Sequence, residues 1–438
     1  DMKICTSKSL SNFWGAYQMR GRLYSYRQDY AARLCLTNFS RRGKISVMKS
    51  VINVVGAAFV KCGKIFAAKR SYGSEYVIHK YEFVGGKVEE GESGEYALKR
   101  ECAEELDLRI DVLRPLGFSE FEYPDKVVKI TVYLCEMLSD FTVKEHEECV
   151  WQQLSDLDAE SWAPADRGIL ADIRSEFSRS YSLVTGATGG IGRAFCMSLA
   201  SRGENLFLSG RSAEKLERLA ADIVREYPAV SVKYCPCDLT DEKSRSQFFS
   251  AAAGYSFSRL VNVAGADVQK AFLKYDEQKI IFQSRILFEG AASVTRFCLR
   301  WRAPRIKIIN ISSVSGLYPM PYFAVYSALK GALTSFSLAL NEELKGSGAT
   351  VTAVLPGAVY TRPDVVEYIK TQGLWGKIAA KSPEFVAERS IRAADRGRAK
   401  YIPGFANKLM RAFTVFVPQK LRLKFIAKRW SKTEKDAF

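Results

Sequence analysis

The sequence predicts two successive folds, an α+β domain followed by an α/β domain with a doubly wound parallel sheet. Strand patterns, one hairpin and two helices occupy about residues 48–176. From Ser178 onward, short apolar runs alternate with helical stretches, which is typical of βαβ units with helices on both faces of a sheet. Only Asp172–Ser180 can serve as a linker, so we expect the domains at 48–176 and 180–438 to be close neighbours.

The elements of the first domain follow from composition and periodicity. Gly94–Leu106 is rich in Ala, Leu, Glu and Lys and is predicted to be a helix, as is Ala165–Phe177. Pro124-Asp125 marks the turn of the hairpin. The predicted strands of this domain are Val51–Val60, Lys64–Ala68, Phe118–Tyr123 and Val127–Met137.

In the second domain, the strands are short β-branched or apolar runs. Such runs are expected where a parallel sheet is covered on both faces. The predicted strands are Ser182–Val184, Asn205–Ser209, Val230–Tyr234, Arg259–Val263, Ile306–Ile311 and Thr350–Leu355.

Composition places the chain among globular proteins. Its 438 residues are 47% hydrophobic and 26% charged, which excludes a disordered chain. No apolar run approaches the ~20 residues that a membrane-spanning helix needs, so we predict no span. The ten cysteines lack paired spacing and there are only two histidines, so we expect reduced thiols in a cytoplasmic protein rather than a zinc site.

Positive charge is concentrated in two segments. The net charge is +17, and residues 1–47 hold nine Lys/Arg against two acids. We expect this Arg- and Ser-rich segment to be a basic extension with no fold of its own, although its composition is also typical of a transit peptide. Residues 396–432 hold eleven Lys/Arg and no acid, with apolar side chains interleaved from Lys408 to Trp430. We favour docking of that segment on its own domain or on a subunit partner over contact with an anionic membrane surface.

Three glutamates share one face of the first predicted helix. Glu101, Glu104 and Glu105 stand at i, i+3 and i+4, which puts their carboxylates within reach of a common cation. Oxygen ligands of this kind suit Mg²⁺ or Mn²⁺. A solvated acidic helix face is the alternative for three glutamates alone.

The residues around these glutamates complete a longer pattern. Gly85-Gly86 allows a tight backbone turn into the helix, and Arg100 can pair with Glu92 to hold the loop. The pattern reads Gly86-x5-Glu92-x7-Arg100-Glu101-Cys102-Ala103-Glu104-Glu105 and resembles the Nudix box of the MutT/Nudix hydrolase family. The family has glycine where this chain has Asp107 and an aliphatic residue where it has Cys102.

This resemblance implies a Nudix fold that hydrolyses a nucleoside triphosphate to the monophosphate and pyrophosphate. It implies Mg²⁺ or Mn²⁺ near Gly86, Glu101, Glu104 and Glu105, the last two being catalytic. The segments Tyr81–Lys87, Glu145–Glu148 and Trp162–Asp166 also resemble MutT-type enzymes. By that likeness, Glu145 assists the metal or the water and Asp166 contacts the base of the substrate.

A glycine-rich turn opens the second domain. It follows a predicted strand and precedes a helix, so its backbone amides can approach a pyrophosphate. At the end of the next strand, Gly210-Arg211 leaves room and positive charge for a 2′-phosphate, which favours NADP(H) over NAD(H). The turn reads Thr185-Gly186-Ala187-Thr188-Gly189-Gly190-Ile191-Gly192.

Catalytic groups follow the glycine-rich turn in order. Tyr326 and Lys330 are one helical turn apart, and an ammonium beside a phenol lowers the pKa of the phenol. Tyr326 can then exchange a proton with a carbonyl or alcohol oxygen while a hydride moves at the nicotinamide. Ser313, at the end of a strand, can hydrogen-bond the same oxygen.

Together these residues resemble the short-chain dehydrogenase/reductase family over residues 180–438, which implies a Rossmann fold. The family usually has a catalytic Asn before the Ser strand; here 282–288 contains none, an aliphatic residue near Leu287 takes its place, and Gln283 is nearby. The other family motifs, which imply cofactor binding, are Asp238-Leu239-Thr240-Asp241, Asn262-Val263-Ala264-Gly265 and Pro356-Gly357-Ala358-Val359-Tyr360-Thr361.

The leading hypothesis is therefore a bifunctional enzyme. Its first half hydrolyses nucleoside triphosphates, and its second half is an NADP(H)-dependent oxidoreductase for a small carbonyl or lipid-like substrate. Family likeness implies a homo-oligomer through the reductase half. The alternative is a binding protein that senses nucleotides or NADP(H), with one half catalytically silent. A third hypothesis is a protein held at membranes or nucleic acid by its basic ends.

Overall fold

The computed structural model describes residues 49–361 and 380–431. The extension predicted for residues 1–47 lies outside these ranges. Within them, the first half forms a seven-stranded mixed sheet in which β1 and β6 are parallel and the other pairs are antiparallel. Its elements are β1 (Ser50–Lys61), β2 (Lys64–Arg70), β3 (Tyr81–Glu82), β4 (Val84–Lys87), α1 (Gly94–Leu106), β5 (Ile110–Glu122), β6 (Lys126–Met137), β7 (His146–Gln153) and α2 (Pro164–Phe177).

The hairpin and both helices predicted for this half are present. Strands β5 and β6 pair antiparallel around Pro124-Asp125, as the turn residues indicated. Helix α1 begins after Ser93, whose side chain accepts the Tyr96 N–H. It ends at Asp107, whose φ of 52° is left-handed. Since glycine takes this conformation most easily, the family's glycine at this position has a geometric reason.

The second half forms a seven-stranded sheet in the order β10-β9-β8-β11-β12-β13-β14, with every neighbouring pair parallel. Its strands are β8 (Ser180–Thr185), β9 (Asn205–Gly210), β10 (Val232–Pro236), β11 (Ser256–Asn262), β12 (Arg302–Ile311), β13 (Ala349–Val354) and β14 (Lys400–Tyr401). Its described helices are α3 (Gly190–Ala200), α4 (Ala213–Glu226), α5 (Glu242–Ala252), α6 (Glu277–Ser284), α7 (Gly290–Arg300), α8 (Ala324–Glu343), α9 (Pro383–Asp395), α10 (Phe405–Phe416) and α11 (Gln419–Trp430). The predicted order of an α+β fold and a doubly wound α/β fold is confirmed.

The two halves share one hydrophobic core. Phe177, in the last turn of α2, is fully buried, and its ring centre lies 5.2 Å from that of Tyr255. On α2, Glu176 accepts hydrogen bonds from Arg114 at 3.0 Å and from the Tyr255 hydroxyl at 2.5 Å. The Cys62 thiol donates to the Arg302 carbonyl. The first half therefore packs against the amino-terminal ends of the parallel strands β11 and β12.

The opposite ends of the same strands carry the sequence motifs. The glycine-rich turn follows β8, Asn262 ends β11, Ser313 follows β12 and Pro356 follows β13. Ligand crevices in parallel sheets lie outside these carboxyl ends. In the described part of the chain, no helix has both the length and the apolar character to cross a bilayer.

Candidate active sites in the two halves

The acidic face of α1 is held in place by Arg100. Its guanidinium pairs with both carboxylate oxygens of Glu92, at 3.0 and 3.1 Å, as the sequence indicated. The same side chain also donates to Glu101 at 2.9 Å and to Glu104 at 3.1 Å. Two of the three glutamates on this helix face thus already have a cationic partner.

Gly86 lies directly against the carboxylate of Glu101. A Cβ atom placed on Gly86 would stand 2.3 Å from Cδ of Glu101, so a larger residue here would displace that carboxylate. The prediction that Gly85-Gly86 turns the chain into the helix is wrong. Both residues lie in strand β4 and pair with β1, and α1 begins eight residues after Gly86. Gly85 is required by close packing across the sheet, since a Cβ there would stand 2.1 Å from the Val55 carbonyl oxygen.

Glu105 is the carboxylate that lacks a partner. Its Oε2 atom is buried and has no hydrogen-bond partner among the residues that the structure describes. Burial raises the pKa of Glu105 to about 7; His146 opposes the shift, and Glu82, Glu101 and Glu145 add to it. A buried carboxylate oxygen without a hydrogen-bond partner is a group that a bound cation could satisfy.

These carboxylates do not yet form a ligand cage. Across residues 49–361 and 380–431, no three His, Cys, Asp or Glu side chains are grouped so that they could hold a metal ion. Glu101, Glu104 and Glu105 therefore do not form the common metal site that the sequence predicted, and Arg100 binds two of them. The oxygen donors and the orphaned Glu105 Oε2 nevertheless fit a hard divalent cation in chemical type.

Two further predicted residues lie on the adjoining segments. Glu145 precedes β7 and accepts a hydrogen bond from the Tyr72 hydroxyl at 3.0 Å. Asp166, in the first turn of α2, is only 4% exposed and accepts the backbone N–H of Phe83. Burial raises the pKa of Asp166 well above its usual range, an effect to which Glu82 adds. A protonated Asp166 would be able to donate as well as accept.

In the second half, the glycine-rich turn and the loop after β13 meet. Gly186 has a left-handed φ of 63°, and a Cβ on Gly192 would stand 2.1 Å from the Gly186 carbonyl oxygen. A Cβ on Gly190 would stand 3.0 Å from the Thr361 carbonyl oxygen, so the two predicted cofactor segments are in contact. Ile191, the next residue, packs partly buried against the core beneath.

Basic side chains lie at the end of β9, next to Gly210, where no atom of the described residues lies closer than 3.5 Å to the place of a Cβ. The nearest atom to a Cβ on Gly210 is the Thr188 hydroxyl, at 3.5 Å, and Arg211 beside it is exposed. A surface pocket alongside is lined by Thr188, Arg193, Lys215, Arg218, Leu219 and Asp222. Cationic side chains at this position can accommodate an additional phosphate.

Ser313, Tyr326 and Lys330 come together at the mouth of the crevice. Tyr326 and Lys330 lie on α8, and Ser313 begins the short turn after β12. Ser313 hydrogen-bonds to Tyr326 and accepts a bond from the Ser315 hydroxyl at 2.7 Å. The Lys330 ammonium donates to the Ile311 carbonyl at 2.7 Å and lies 5.8 Å from the centre of the Tyr326 ring.

The expected acidification of Tyr326 by Lys330 is not seen between these two side chains. Burial raises the pKa of Tyr326, and Asp267 raises it further, while the Ser313 hydrogen bond opposes the shift. Burial also lowers the pKa of Lys330 to about 8, and Asp267 opposes this change. Sequence reasoning did not single out Asp267; its position two residues after Gly265 was the available signal.

Two of the residues predicted to bind cofactor have internal roles. The Asn262 amide donates to Asn310 at 2.8 Å and to Thr295 at 3.1 Å, which ties β11 to β12 and α7. Its side chain therefore positions strands.

Asp238 accepts hydrogen bonds from the backbone and the hydroxyl of Thr240 and so shapes the turn after β10. Ala264 and Gly265 continue the crevice wall, and a Cβ on Gly186 would meet the Ala264 backbone at 2.8 Å. Pro356 and Gly357 begin the loop after β13.

Leu287 occupies the site face where the family has asparagine. It is 1% exposed. A Cβ atom placed on Gly265 would stand 3.1 Å from Cδ2 of Leu287 and 3.7 Å from the Lys330 ammonium, so Leu287 lies close to the catalytic lysine. Leu287 lies in a π-helical turn, Arg285–Glu289, between α6 and α7. Gln283, four residues earlier, is fully buried, and its amide has no hydrogen-bond partner within the described residues.

The family comparisons identify both domains. Residues 51–173 match the NUDIX domain family, and residues 181–369 match the short chain dehydrogenase family. The chain is therefore a Nudix domain fused to a short-chain dehydrogenase/reductase domain. The presence of these two domains indicates that the protein is an enzyme.

Among individual proteins, the chain is similar to the very-long-chain 3-oxoacyl-CoA reductase of Bos taurus, with 34% identity over 42% of this chain and 60% of that protein. A very-long-chain 3-oxoacyl-CoA reductase-like protein of Arabidopsis thaliana is 29% identical over 58% of this chain and 82% of its own length. Human 17-beta-hydroxysteroid dehydrogenase type 3 is 33% identical over 48% and 66%. The chain thus spans about 60% of the length of the cattle reductase.

The fold of the second half is also found among solved structures. A 7beta-hydroxysteroid dehydrogenase structure superimposes with a TM-score of 0.51 and 22% identity, covering 58% of this chain and 99% of that one. At this identity, the likeness concerns the fold alone.

Proposed function

We propose that the chain is a bifunctional enzyme, with an NADP(H)-dependent oxidoreductase in the second half and a Mg²⁺-dependent nucleoside triphosphate pyrophosphohydrolase in the first. The observation that carries the proposal is the grouping of Ser313, Tyr326 and Lys330 at the carboxyl edge of the parallel sheet. The names of the relatives favour a lipid-like substrate with an acyl or steroid carbonyl.

In the reductase half, the residues of the chain hold the reacting oxygen and supply the proton. Bound NADPH supplies the hydride. Tyr326 transfers its phenolic proton to the carbonyl oxygen as the carbon is reduced, and Ser313 donates a hydrogen bond to the same oxygen. The Lys330 ammonium, 5.8 Å from the centre of the Tyr326 ring, would stabilise the phenolate that remains. The products are the alcohol and the oxidised cofactor.

Preference for NADP(H) is supported by the cationic surface after β9. Arg211 and Lys215 would pair with the 2′-phosphate. A charge-assisted hydrogen bond contributes about 1.5–3 kcal/mol, so Arg211→Ala is expected to raise the KM for NADPH about tenfold or more and leave that for NADH unchanged. An equal change for both cofactors would contradict this assignment.

The reductase proposal is tested with Tyr326→Phe. We expect the variant to lose NADPH oxidation on 3-oxoacyl thioesters and oxosteroids, because the proton donor is removed while the ring is kept. Tyr227→Phe, outside the crevice, is the matched control and should retain activity. Full turnover by Tyr326→Phe would remove the proposed role.

In the first half, the residues proposed to hold Mg²⁺ are Glu101, Glu104, Glu105, Gly86 and Glu145, and Glu104 and Glu105 are the proposed catalytic groups. The ion would neutralise charge on the phosphates and lower the pKa of a bound water. The unpartnered Glu105 supports this assignment. Asp166 would contact the edge of the base. Water and the nucleoside triphosphate would give the monophosphate and pyrophosphate.

The hydrolase proposal is tested by pyrophosphate release from a panel of nucleoside triphosphates with Mg²⁺ or Mn²⁺. Glu104→Gln and Glu105→Gln are expected to abolish release. Glu95→Gln, in the first turn of the same helix, is the matched control. Release that survives both changes would contradict the metal site. Tight nucleotide or NADP(H) binding by calorimetry with no product in either assay would favour the alternative of a sensing protein.

A further inference from the structure

Helix α10 exposes a continuous apolar stripe to solvent. Phe405, Leu409, Phe413 and Phe416 follow at i, i+4, i+8 and i+11, which places them on one face of the helix. Their exposed fractions are 77%, 41%, 65% and 85%. Large apolar side chains exposed together on one face mark an interaction surface.

Helix α11 continues this surface and adds positive charge. Leu421 and Phe425, one turn apart, are 59% and 67% exposed. Lys420, Lys424 and Lys428 form an exposed row beside them. The segment 405–431 contains seven Lys/Arg and no acidic residue.

We propose that α10 and α11 form a docking surface for an anionic membrane. An amphipathic helix with bulky apolar side chains on one face and lysines nearby lies in the plane of a bilayer interface, with its apolar face among the acyl chains. Anionic headgroups attract the lysines, and this attraction extends over about a Debye length. Such a contact requires no membrane-spanning helix.

Charge favours an anionic membrane over a second copy of the chain as the partner of this surface. A two-fold contact between copies of 405–431 would bring two sets of basic side chains together, with no carboxylate in the segment to pair with them. Like charges held at a contact are repulsive, whereas anionic lipid neutralises them. The surface therefore complements a negatively charged partner better than it complements itself.

The same helices contact the residues around the reductase crevice. Trp430 packs on Phe323, with ring centres 5.2 Å apart, and Phe323 lies 5.8 Å from Tyr326. On α10, the buried Asn407 lies against Gly357, where a Cβ would stand 2.7 Å from its Oδ1 atom. Docking would thus place the crevice close to the bilayer. Delivery of a lipid-like substrate from the membrane rests on the proposed reductase function, whereas the docking itself does not.

The test is co-sedimentation of the full chain with phosphatidylcholine vesicles, with and without phosphatidylserine, in the absence of cofactor and substrate. We expect binding to vesicles that contain phosphatidylserine and loss of it at high salt. Phe413→Ser with Phe416→Ser should weaken binding at least tenfold, since two apolar anchors are removed. Changing Lys420, Lys424 and Lys428 to Gln should weaken it up to about 100-fold.

Matched controls separate the surface from general effects. Phe118→Ser changes a phenylalanine that is 58% exposed on β5, and Lys243→Gln changes an exposed lysine on α5; both should bind as the wild type does. Unchanged thermal unfolding of the double Phe variant would show that it folds.

Two results would overturn the proposal. One is no sedimentation with either vesicle. The other is a wild-type dimer that the double Phe variant converts to monomer without any vesicle binding, which would make the stripe a subunit interface. Because these readouts need no turnover, they stand apart from any failure of the reductase assay.

Discussion

Replacing Phe177 by Ala tests whether the two halves unfold together. Phe177 ends α2 and is fully buried in the core that both halves share. Its ring packs on Tyr255 of the second half and on the Arg114 guanidinium of the first, 5.7 Å away. Gly254 lies so close that a Cβ there would be 2.6 Å from the Phe177 ring. The substitution therefore leaves a cavity between the halves.

The expected cost is about 3–5 kcal/mol, which is the usual range for Phe→Ala in a core. It should fall toward the upper end, because an aromatic pair adds about 0.5–1.5 kcal/mol beyond buried area. This is a large share of a domain stability of about 5–15 kcal/mol. With an m-value of about 3 kcal/mol per M, the urea midpoint should fall by about 1 M or more.

Hydrogen exchange read separately in the two halves is the assay. In Phe177→Ala, amides of β6 and β8 should lose protection together, since each strand contributes to the shared core. Phe195→Ala is the control, because Phe195 is equally buried in a separate core of the second half. It should first lower protection around α3.

The reasoning would be refuted if β6 lost protection in Phe177→Ala while β8 kept its wild-type exchange. The halves would then be tethered neighbours, and the packing around Tyr255 would contribute little to stability.

Predictions at three other positions follow from the geometry. Gly192→Ala should weaken NADPH binding at least tenfold in calorimetry, because its Cβ would stand 2.1 Å from the Gly186 carbonyl and the overpacking costs about 1–3 kcal/mol. Leu287→Asn should raise kcat about tenfold, because it places a polar group near Lys330. The buried amide should lower the free energy of unfolding by about 1–3 kcal/mol in thermal unfolding. Unchanged kcat would show that Leu287 does not limit turnover. Asp107→Gly should be more stable than wild type by about 0.5–1 kcal/mol and Asp107→Val less stable by about 1–2 kcal/mol in urea unfolding, because the position has a left-handed φ.

The predicted elements carry local signals in their own residues, whereas β3, β4, β7 and β14 were not predicted. The buried strands of the second sheet are near-continuous apolar runs, and the predicted run Ile306–Ile311 lies within β12. The ends of elements were less well defined: β10 runs from Val232 to Pro236, two residues later than the pattern Val230–Tyr234 indicated. Strand pairing, which decides such limits, depends on distant residues.

The sites were predicted only as far as local spacing reaches. The sequence predicted that Ser313, Tyr326 and Lys330 lie near one another. Ser313 stands at the end of a strand, and Tyr326 and Lys330 are one helical turn apart. The influence of Asp267 on the pKa of Tyr326 depends on a contact across 59 residues of sequence, and no short pattern contains it. The competition of Arg100 for Glu101 and Glu104 was also missed, because spacing alone does not reveal which partner a carboxylate takes.

The first half and the candidate reductase site lie at opposite edges of the parallel sheet. The first half packs at Tyr255 and Arg302, at the amino-terminal edge of the parallel sheet, whereas Ser313 and the glycine-rich turn lie at the carboxyl edge. The helices α10 and α11 also contact the carboxyl-edge side, through Phe323 and Gly357. A membrane bound by these helices would therefore meet the reductase crevice and leave the hydrolase domain on the far side of the sheet, where a water-borne nucleotide can reach it.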